Sequence, residues 1–145
     1  MSTVARLFLV LLIAVAALPA NLASVRAEPN VEKRSRLALD NADAAYLRSR
    51  ANLEAGKAEA AAADLQEVQQ SVELAKEALD QTHQNPSRKP KNFKYAETRT
   101  RDLLRKLKGW QESLDSTDRP MVEAVRNRIQ EVHDEWLTGI MGKKR

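Results

Sequence analysis

Apolar or small residues recur at alternating spacings of three and four along four stretches of the chain. This spacing places them on one face of a helix, so each stretch predicts an amphipathic helix. The first two series are Leu39, Ala42, Tyr46, Ser49 and Leu53, and Ala61, Leu65, Val68, Val72, Ala75 and Leu79. The last two are Phe93, Ala96, Thr100, Leu103, Leu107, Trp110 and Leu114, and Val122, Val125, Ile129, Val132, Trp136 and Ile140. No stretch alternates with a period of two for long enough to predict a strand.

Turn-forming residues separate the four series. Gly56 lies just after the first series, where a left-handed helix cap is expected, so the sequence predicts a tight turn at residues 55–57. The rival interpretation is one continuous helix over residues 35–82, because a single internal glycine costs only about 1 kcal/mol. Two prolines predict a loop over residues 82–92, and Pro120 predicts the first turn of the last helix.

Short connections between helices favour antiparallel neighbours. The four series therefore predict an all-α fold, an antiparallel four-helix bundle built from two helical hairpins over residues 37–142. Residues 28–36 are polar and are predicted to be flexible, and residues 143–145 form a basic tail. If Gly56 does not turn, a long helix with one docked hairpin would leave apolar faces exposed and would dimerise.

The segment Ala45–Leu65 (AYLRSRANLEAGKAEAAAADL) resembles the turn region of a tetratricopeptide-type helix pair. Ala51, Leu53, Gly56 and the alanine run 60–63 fill the places of that family's turn and second helix. The resemblance covers about 20 residues, and the 34-residue period of such repeats is missing. What it implies is a helical hairpin that contacts another protein.

The N-terminus has the three regions of an export signal. Residues 1–6 end in a positive charge, residues 7–18 form an apolar run, and Val25 and Ala27 fit the −3 and −1 positions of a cleavage motif. Twelve helical residues span about 18 Å, which is short of the ~30 Å hydrocarbon core of a bilayer. We therefore expect a signal peptide over residues 1–27, cleavage near Ala27 and an extracytoplasmic, periplasmic or secreted protein without a transmembrane segment. The alternative is an uncleaved membrane anchor.

Composition narrows the classes of function. The 145 residues include no cysteine, which excludes disulfide scaffolds, thiolate zinc sites and thiol enzymes. The two histidines, His83 and His133, lack the spaced partners of a metal site, and no nucleophile-elbow serine or phosphate-binding glycine loop occurs. We expect no catalytic residues, no metal and no cofactor, and hence a protein that is not an enzyme.

Charge is distributed in blocks along the chain. Residues 86–108 carry nine basic and two acidic side chains, whereas residues 37–83 and 109–142 are both net acidic. A basic helix between acidic helices selects its neighbours, but a basic surface also attracts an anionic partner. The loop cations are the stronger candidates for a partner, because they cannot all pair inside the bundle. The candidate partner-binding residues are Arg88, Lys89, Lys91, Lys94, Arg101 and Arg105.

These features predict an exported helical binding or scaffold protein that acts by protein–protein interaction or by recognition of an anionic surface. The expected partner is a protein, with lipid head groups or acidic polysaccharide as anionic alternatives, and nucleic acid is not expected outside the cytoplasm. A holdase-type chaperone is the second hypothesis, and it requires exposed apolar patches. A carrier of a small ligand or anion is the third, and it requires a pocket between helices.

Overall fold

The computed structural model describes residues 22–142, and every regular element in that range is a helix. The helices are α1 (Leu22–Arg26), α2 (Val31–Glu54), α3 (Ala58–Asp80), α4 (Lys91–Ser113) and α5 (Arg119–Met141). The four long helices coincide with the four predicted series, so the all-α class and the helical bundle are confirmed. The apolar run of the predicted signal peptide and the basic tail lie outside the described residues.

The predicted core positions face the interior of the bundle. All of them are buried except Leu53, Leu114 and Ile140, which are half-buried at the ends of their helices. The two polar members of the series are also buried. The Ser49 hydroxyl donates to the carbonyl of Ala61 on α3 at 2.7 Å, whereas Thr100 bonds within its own helix. Burial of both hydroxyls is therefore compensated by backbone carbonyls.

Gly56 ends α2 and turns the chain into α3. Its φ is +76°, in the left-handed region. The Gly56 N–H donates to the carbonyl of Leu53 at 3.0 Å, and the Lys57 N–H donates to that of Asn52 at 2.8 Å. This pair of bonds is a Schellman cap. The predicted turn is therefore confirmed, and the interpretation as one continuous helix is wrong.

Alanine substitutions at two glycines are expected to change stability in opposite directions. Gly56→Ala should lower the free energy of unfolding by about 1–2 kcal/mol, because a Cβ is strained in the left-handed conformation. Gly109→Ala should raise it by about 0.5–1 kcal/mol, because Gly109 is within α4 and an added Cβ would meet nothing within 4 Å. Urea unfolding of both variants measures the two shifts, and shifts of the same sign would contradict this account.

Helix α2 begins at Val31, six residues before the predicted start of the bundle. The Asn30 side chain accepts a hydrogen bond from the Lys33 N–H at 3.0 Å and so caps the helix. Ser35 is only 2% exposed, and its hydroxyl donates to the carbonyl of Glu32. Residues 31–36, predicted to be flexible, are thus the first turns of α2, because an N-cap and a buried small residue fix them.

The two hairpins pack with parallel helices across their interface. Helix α4 runs along α2 in the same direction, since Arg36 contacts Asn92 near both helix starts and Tyr46 packs on Trp110 further along. Helix α5 likewise runs parallel to α3. The predicted up-down-up-down order of the four long helices therefore holds, whereas the contacts between the two hairpins are made mainly by parallel helices, α2 with α4 and α3 with α5. Only the short connections impose antiparallel packing, whereas the ten-residue loop over 81–90 lets the second hairpin pack across the first.

Candidate anion-binding surface

One side of α4 uses its cations to hold α2. Arg99 donates to Asp40 at 2.9 Å and to Asp43 at 2.7 Å, and Lys106 lies 3.9 Å from Asp43. Partial burial opposes the charge of Arg99, but the hydrogen bonds to Asp43 and Asp40 outweigh it, so the pKa of Arg99 is raised. The expected internal charge complementarity is therefore present for these two cations.

The four cations in and next to the loop over 81–90, called the loop cations, have no such partner, although Lys91 and Lys94 belong to the start of α4. All four are exposed, and none of their side chains makes a hydrogen bond or ion pair with any residue in the described range. They are Arg88, Lys89, Lys91 and Lys94. Cations near a helix N-terminus oppose the helix dipole, so these residues do not stabilise α4. Their charges are free to act on an external partner.

A third group of cations lines an open groove between α4 and α5. The groove has a volume of about 520 Å³. Its lining residues are Arg101, Leu104, Arg105, Lys108, Arg126 and Gln130. The set contains four cations and no acidic side chain. Arg126 comes from α5, and it makes no ion pair with a described residue.

The groove cations of α4 pair only weakly, with acids of their own helix. Arg101 lies 3.6 Å from Glu97, and Arg105 lies 3.3 Å from Asp102. The side chains of Arg101 and Arg105 are 57% and 74% exposed, respectively. Exposed pairs of this kind contribute only about 0–1 kcal/mol, so they leave the cations available to a stronger anionic ligand.

The loop cations and the groove cations are together named the basic ridge. It consists of Arg88, Lys89, Lys91, Lys94, Arg101, Arg105, Lys108 and Arg126. The positions 94, 101, 105 and 108 follow one side of α4, and at 1.5 Å per residue they span about 21 Å. The six predicted partner-binding residues are part of this set, and their binding role stays a prediction. Sequence reasoning left out Lys108, which shares their helical spacing, and Arg126, which only the packing of α5 on α4 brings there.

His133 lies buried between α4 and α5, although the sequence placed it in a polar stretch. Its Nε2 is 3.0 Å from a Glu97 carboxylate oxygen, and its Nδ1 is 3.3 Å from an Asp134 oxygen. The same Glu97 oxygen also faces Arg101. Because both ring nitrogens face carboxylates, the imidazole links the two helices beneath the ridge and presents no free nitrogen to a substrate.

The remaining described surface offers few other binding features. A groove of about 860 Å³ lies between the 81–90 loop and α5 and includes three acidic side chains. Within residues 22–142, only Leu47, Leu137 and Met141 are exposed large apolar side chains. No group of three or more metal-ligating side chains occurs in this range. No helix among those described combines the length and apolar character needed to cross a bilayer.

Charge and exposure therefore single out the basic ridge as the surface best suited to a partner. Comparison of the chain with protein-family models, with curated proteins and with solved structures finds no match.

Proposed function

We propose that this chain is an exported, non-catalytic binding protein that attaches to anionic lipid head groups through the basic ridge. The observation that carries the proposal is the set of loop cations, which are exposed and have no acidic partner among residues 22–142. Each Lys or Arg near an anionic membrane surface contributes about 1 kcal/mol to attachment. Several cations along one side of α4 therefore suffice for reversible binding.

The chemistry of the ridge favours a diffuse anionic surface over a specific protein partner. Protein interfaces are anchored by buried aromatic or aliphatic side chains and are depleted in lysine. The ridge contains four lysines and no aromatic residue, and the one large apolar residue of its groove, Leu104, is only 8% exposed. Its attraction is therefore electrostatic, which suits a membrane surface of many equivalent charges.

The geometry of the ridge favours a membrane over a single acidic polysaccharide chain. Its cations extend about 21 Å along α4 and continue into the loop before the helix, rather than enclosing a narrow channel. An extended array matches a plane of head groups. A polysaccharide remains the main competing outcome, since it carries the same sign of charge.

The proposal predicts salt-sensitive binding to anionic vesicles. The protein should sediment with phosphatidylglycerol-containing vesicles at 50 mM salt, release as salt is raised, and ignore pure phosphatidylcholine vesicles. Lys91→Ser combined with Lys94→Ser removes two unpaired charges and should weaken binding about 30-fold, on the basis of ~1 kcal/mol per charge. Vesicle co-sedimentation over a lipid titration measures the change.

The matched control is Lys33→Ser combined with Lys57→Ser, which removes the same net charge from exposed lysines outside the ridge. This control should bind within about twofold of the unchanged protein, because screening confines attraction to charges near the surface. Equal losses of vesicle binding in both double variants would show that binding depends only on net charge, and would refute the ridge as the binding site. If the protein is retained on heparin but does not bind vesicles, its ligand is acidic polysaccharide and not lipid.

A further inference from the structure

The groove between α4 and α5 brings cations of both helices to one level of the bundle. His133 of α5 contacts Glu97 of α4, with 3.0 Å between Nε2 and a carboxylate oxygen, and this contact fixes the register of the two antiparallel helices. Leu104 lies about two helical turns after Glu97, and Arg126 lies the same distance before His133. Arg126 therefore lies opposite Leu104.

Three cations of α4 lie close to Leu104 along the helix. Arg101 precedes it by one turn, Arg105 directly follows it, and Lys108 follows by one turn. Residues one turn apart have Cβ atoms about 5–6 Å from each other. These cations line the groove together with Arg126 of α5. Because arginine side chains are long, a ligand at the level of Leu104 is within reach of guanidinium groups from both helices.

The positive charge of the groove is not compensated within the groove itself. Acidic side chains contact its three α4 cations, but those acids lie outside its lining. They are Glu97, Asp102 and Glu112. Arg126 makes no ion pair with a described residue. Because like charges held close together repel, the groove favours an anion with more than one negative charge over an anion with a single charge.

We infer that the groove binds one phosphate monoester, the terminal phosphate of a lipid head group, and so selects among anionic lipids; this inference rests on the lipid binding of the proposed function. At neutral pH a phosphate monoester carries about 1.5–2 negative charges and presents three terminal oxygens. A guanidinium fork donates to two phosphate oxygens, so Arg105 of α4 and Arg126 of α5 can hold the same phosphate.

A phosphodiester head group is a poorer ligand for this groove. Its second substituent leaves two free oxygens and a single negative charge, so it satisfies fewer of the donors that the two helices present. The loop cations supply attraction to any anionic surface, whereas the groove supplies the selectivity.

Vesicles of matched surface charge test this selectivity. The protein, produced from the full chain, is titrated with vesicles that contain phosphatidic acid, a phosphate monoester, or phosphatidylglycerol, a phosphodiester. Phosphatidylcholine adjusts both to the same zeta potential. We expect about tenfold tighter binding to phosphatidic acid, because additional charge-assisted hydrogen bonds form there. Equal affinities overturn the inference and leave the proposed function intact, whereas absence of binding to both vesicles refutes the proposed function.

Substitutions assign the selectivity to the groove. Arg126→Gln removes the α5 guanidinium and should reduce the preference for phosphatidic acid to less than about twofold. Arg105→Gln, at a side chain that is 74% exposed, repeats this test without disturbing a packed residue. Lys94→Gln is the matched control, because it removes one charge of the basic ridge outside the groove lining. It should weaken binding to both vesicles equally, and a preference that survives both groove variants contradicts the inference.

Soluble probes distinguish a lipid ligand from a free phosphate monoester. Calorimetric titration compares methyl phosphate, a monoester, with dimethyl phosphate, a diester. We expect methyl phosphate to bind about tenfold more tightly than dimethyl phosphate, and Arg126→Gln to remove this difference. That result without a preference between the vesicles would assign the groove to a soluble phosphate monoester and overturn the lipid source alone. If neither the soluble probes nor the vesicles are distinguished, the groove is not a phosphate site.

Discussion

Leu107→Ala is expected to lower the free energy of unfolding by about 2–5 kcal/mol, the largest effect of any single substitution considered for this protein. Leu107 is fully buried at 0% exposure and belongs to the main core, where α4 meets the rest of the bundle. Truncation removes the apolar contacts of the side chain and leaves a cavity that rigid neighbouring helices cannot fill. Urea unfolding followed by circular dichroism measures the loss.

Leu47→Ala is the matched control, since it makes the same chemical change on a helix of similar length. Leu47 is 64% exposed, so its truncation removes little buried surface and should change stability by less than about 0.5 kcal/mol. Similar losses in the two variants would show that Leu47 is covered by another part of the chain or by a second copy. A negligible loss in Leu107→Ala would contradict the packing of α4.

Reversal of the charge at Arg99 is expected to produce the second-largest loss. Arg99 joins α4 to α2 through Asp40 and Asp43, and its side chain is 26% exposed. Arg99→Glu replaces two charge-assisted hydrogen bonds by repulsion among three carboxylates, which should lower the free energy of unfolding by about 2–4 kcal/mol. Urea unfolding at low and high salt measures this loss of stability. The loss should be smaller at high salt, because salt screens the repulsion between the carboxylates.

A compensating substitution distinguishes this ion pair from a general loss of helix packing. Asp43→Arg introduced together with Arg99→Glu restores an opposite-charge pair between the two helices. The double variant should therefore be more stable than Arg99→Glu alone by at least about 1 kcal/mol. If the loss of stability in the double variant equals or exceeds the sum of the losses in the two single variants, the Arg99 contacts do not hold α2 against α4.

The existence and faces of the long helices could be predicted from the sequence because the hydrophobic period is a local property. Residues such as Leu65, Val72 and Ile129 are predicted to be buried because other apolar residues lie three and four positions away from them. The turn at Gly56 was readable for the same reason, since a helix cap is decided by a few adjacent residues. A local pattern fixes which face of a helix is buried and leaves open which helix covers it.

The remaining features depend on contacts between residues far apart in sequence. The parallel packing of α4 on α2 follows from a long loop that permits more than one arrangement. Burial of His133 depends on Glu97, 36 residues earlier, and its own surroundings in the sequence are polar. Helix α1 is five residues long, too short to show a helical period, so no signal within the sequence marks it.

Some features of the candidate site can likewise be predicted from the local sequence, whereas others depend on contacts between residues far apart in the chain. The loop cations could be selected from sequence because a dense charge block next to two prolines cannot be paired internally. The helical spacing places Arg99 and Arg101 on different sides of α4, and in the structure Arg99 is bound to α2 whereas Arg101 is open to solvent. Two positions correspond to about 200° of helical rotation, and only the location of α2 shows which of the two sides is covered.

The ten-residue connection over 81–90 joins two hairpins that share one hydrophobic core. Contacts within a hairpin join residues close in sequence, so each can form early, and docking then proceeds at the high effective concentration that a short tether provides. Doubling the length of such a tether costs only about 0.6 kcal/mol in closure entropy. This junction is accordingly where the chain can be lengthened, or divided into two complementary fragments, with the least loss of assembly.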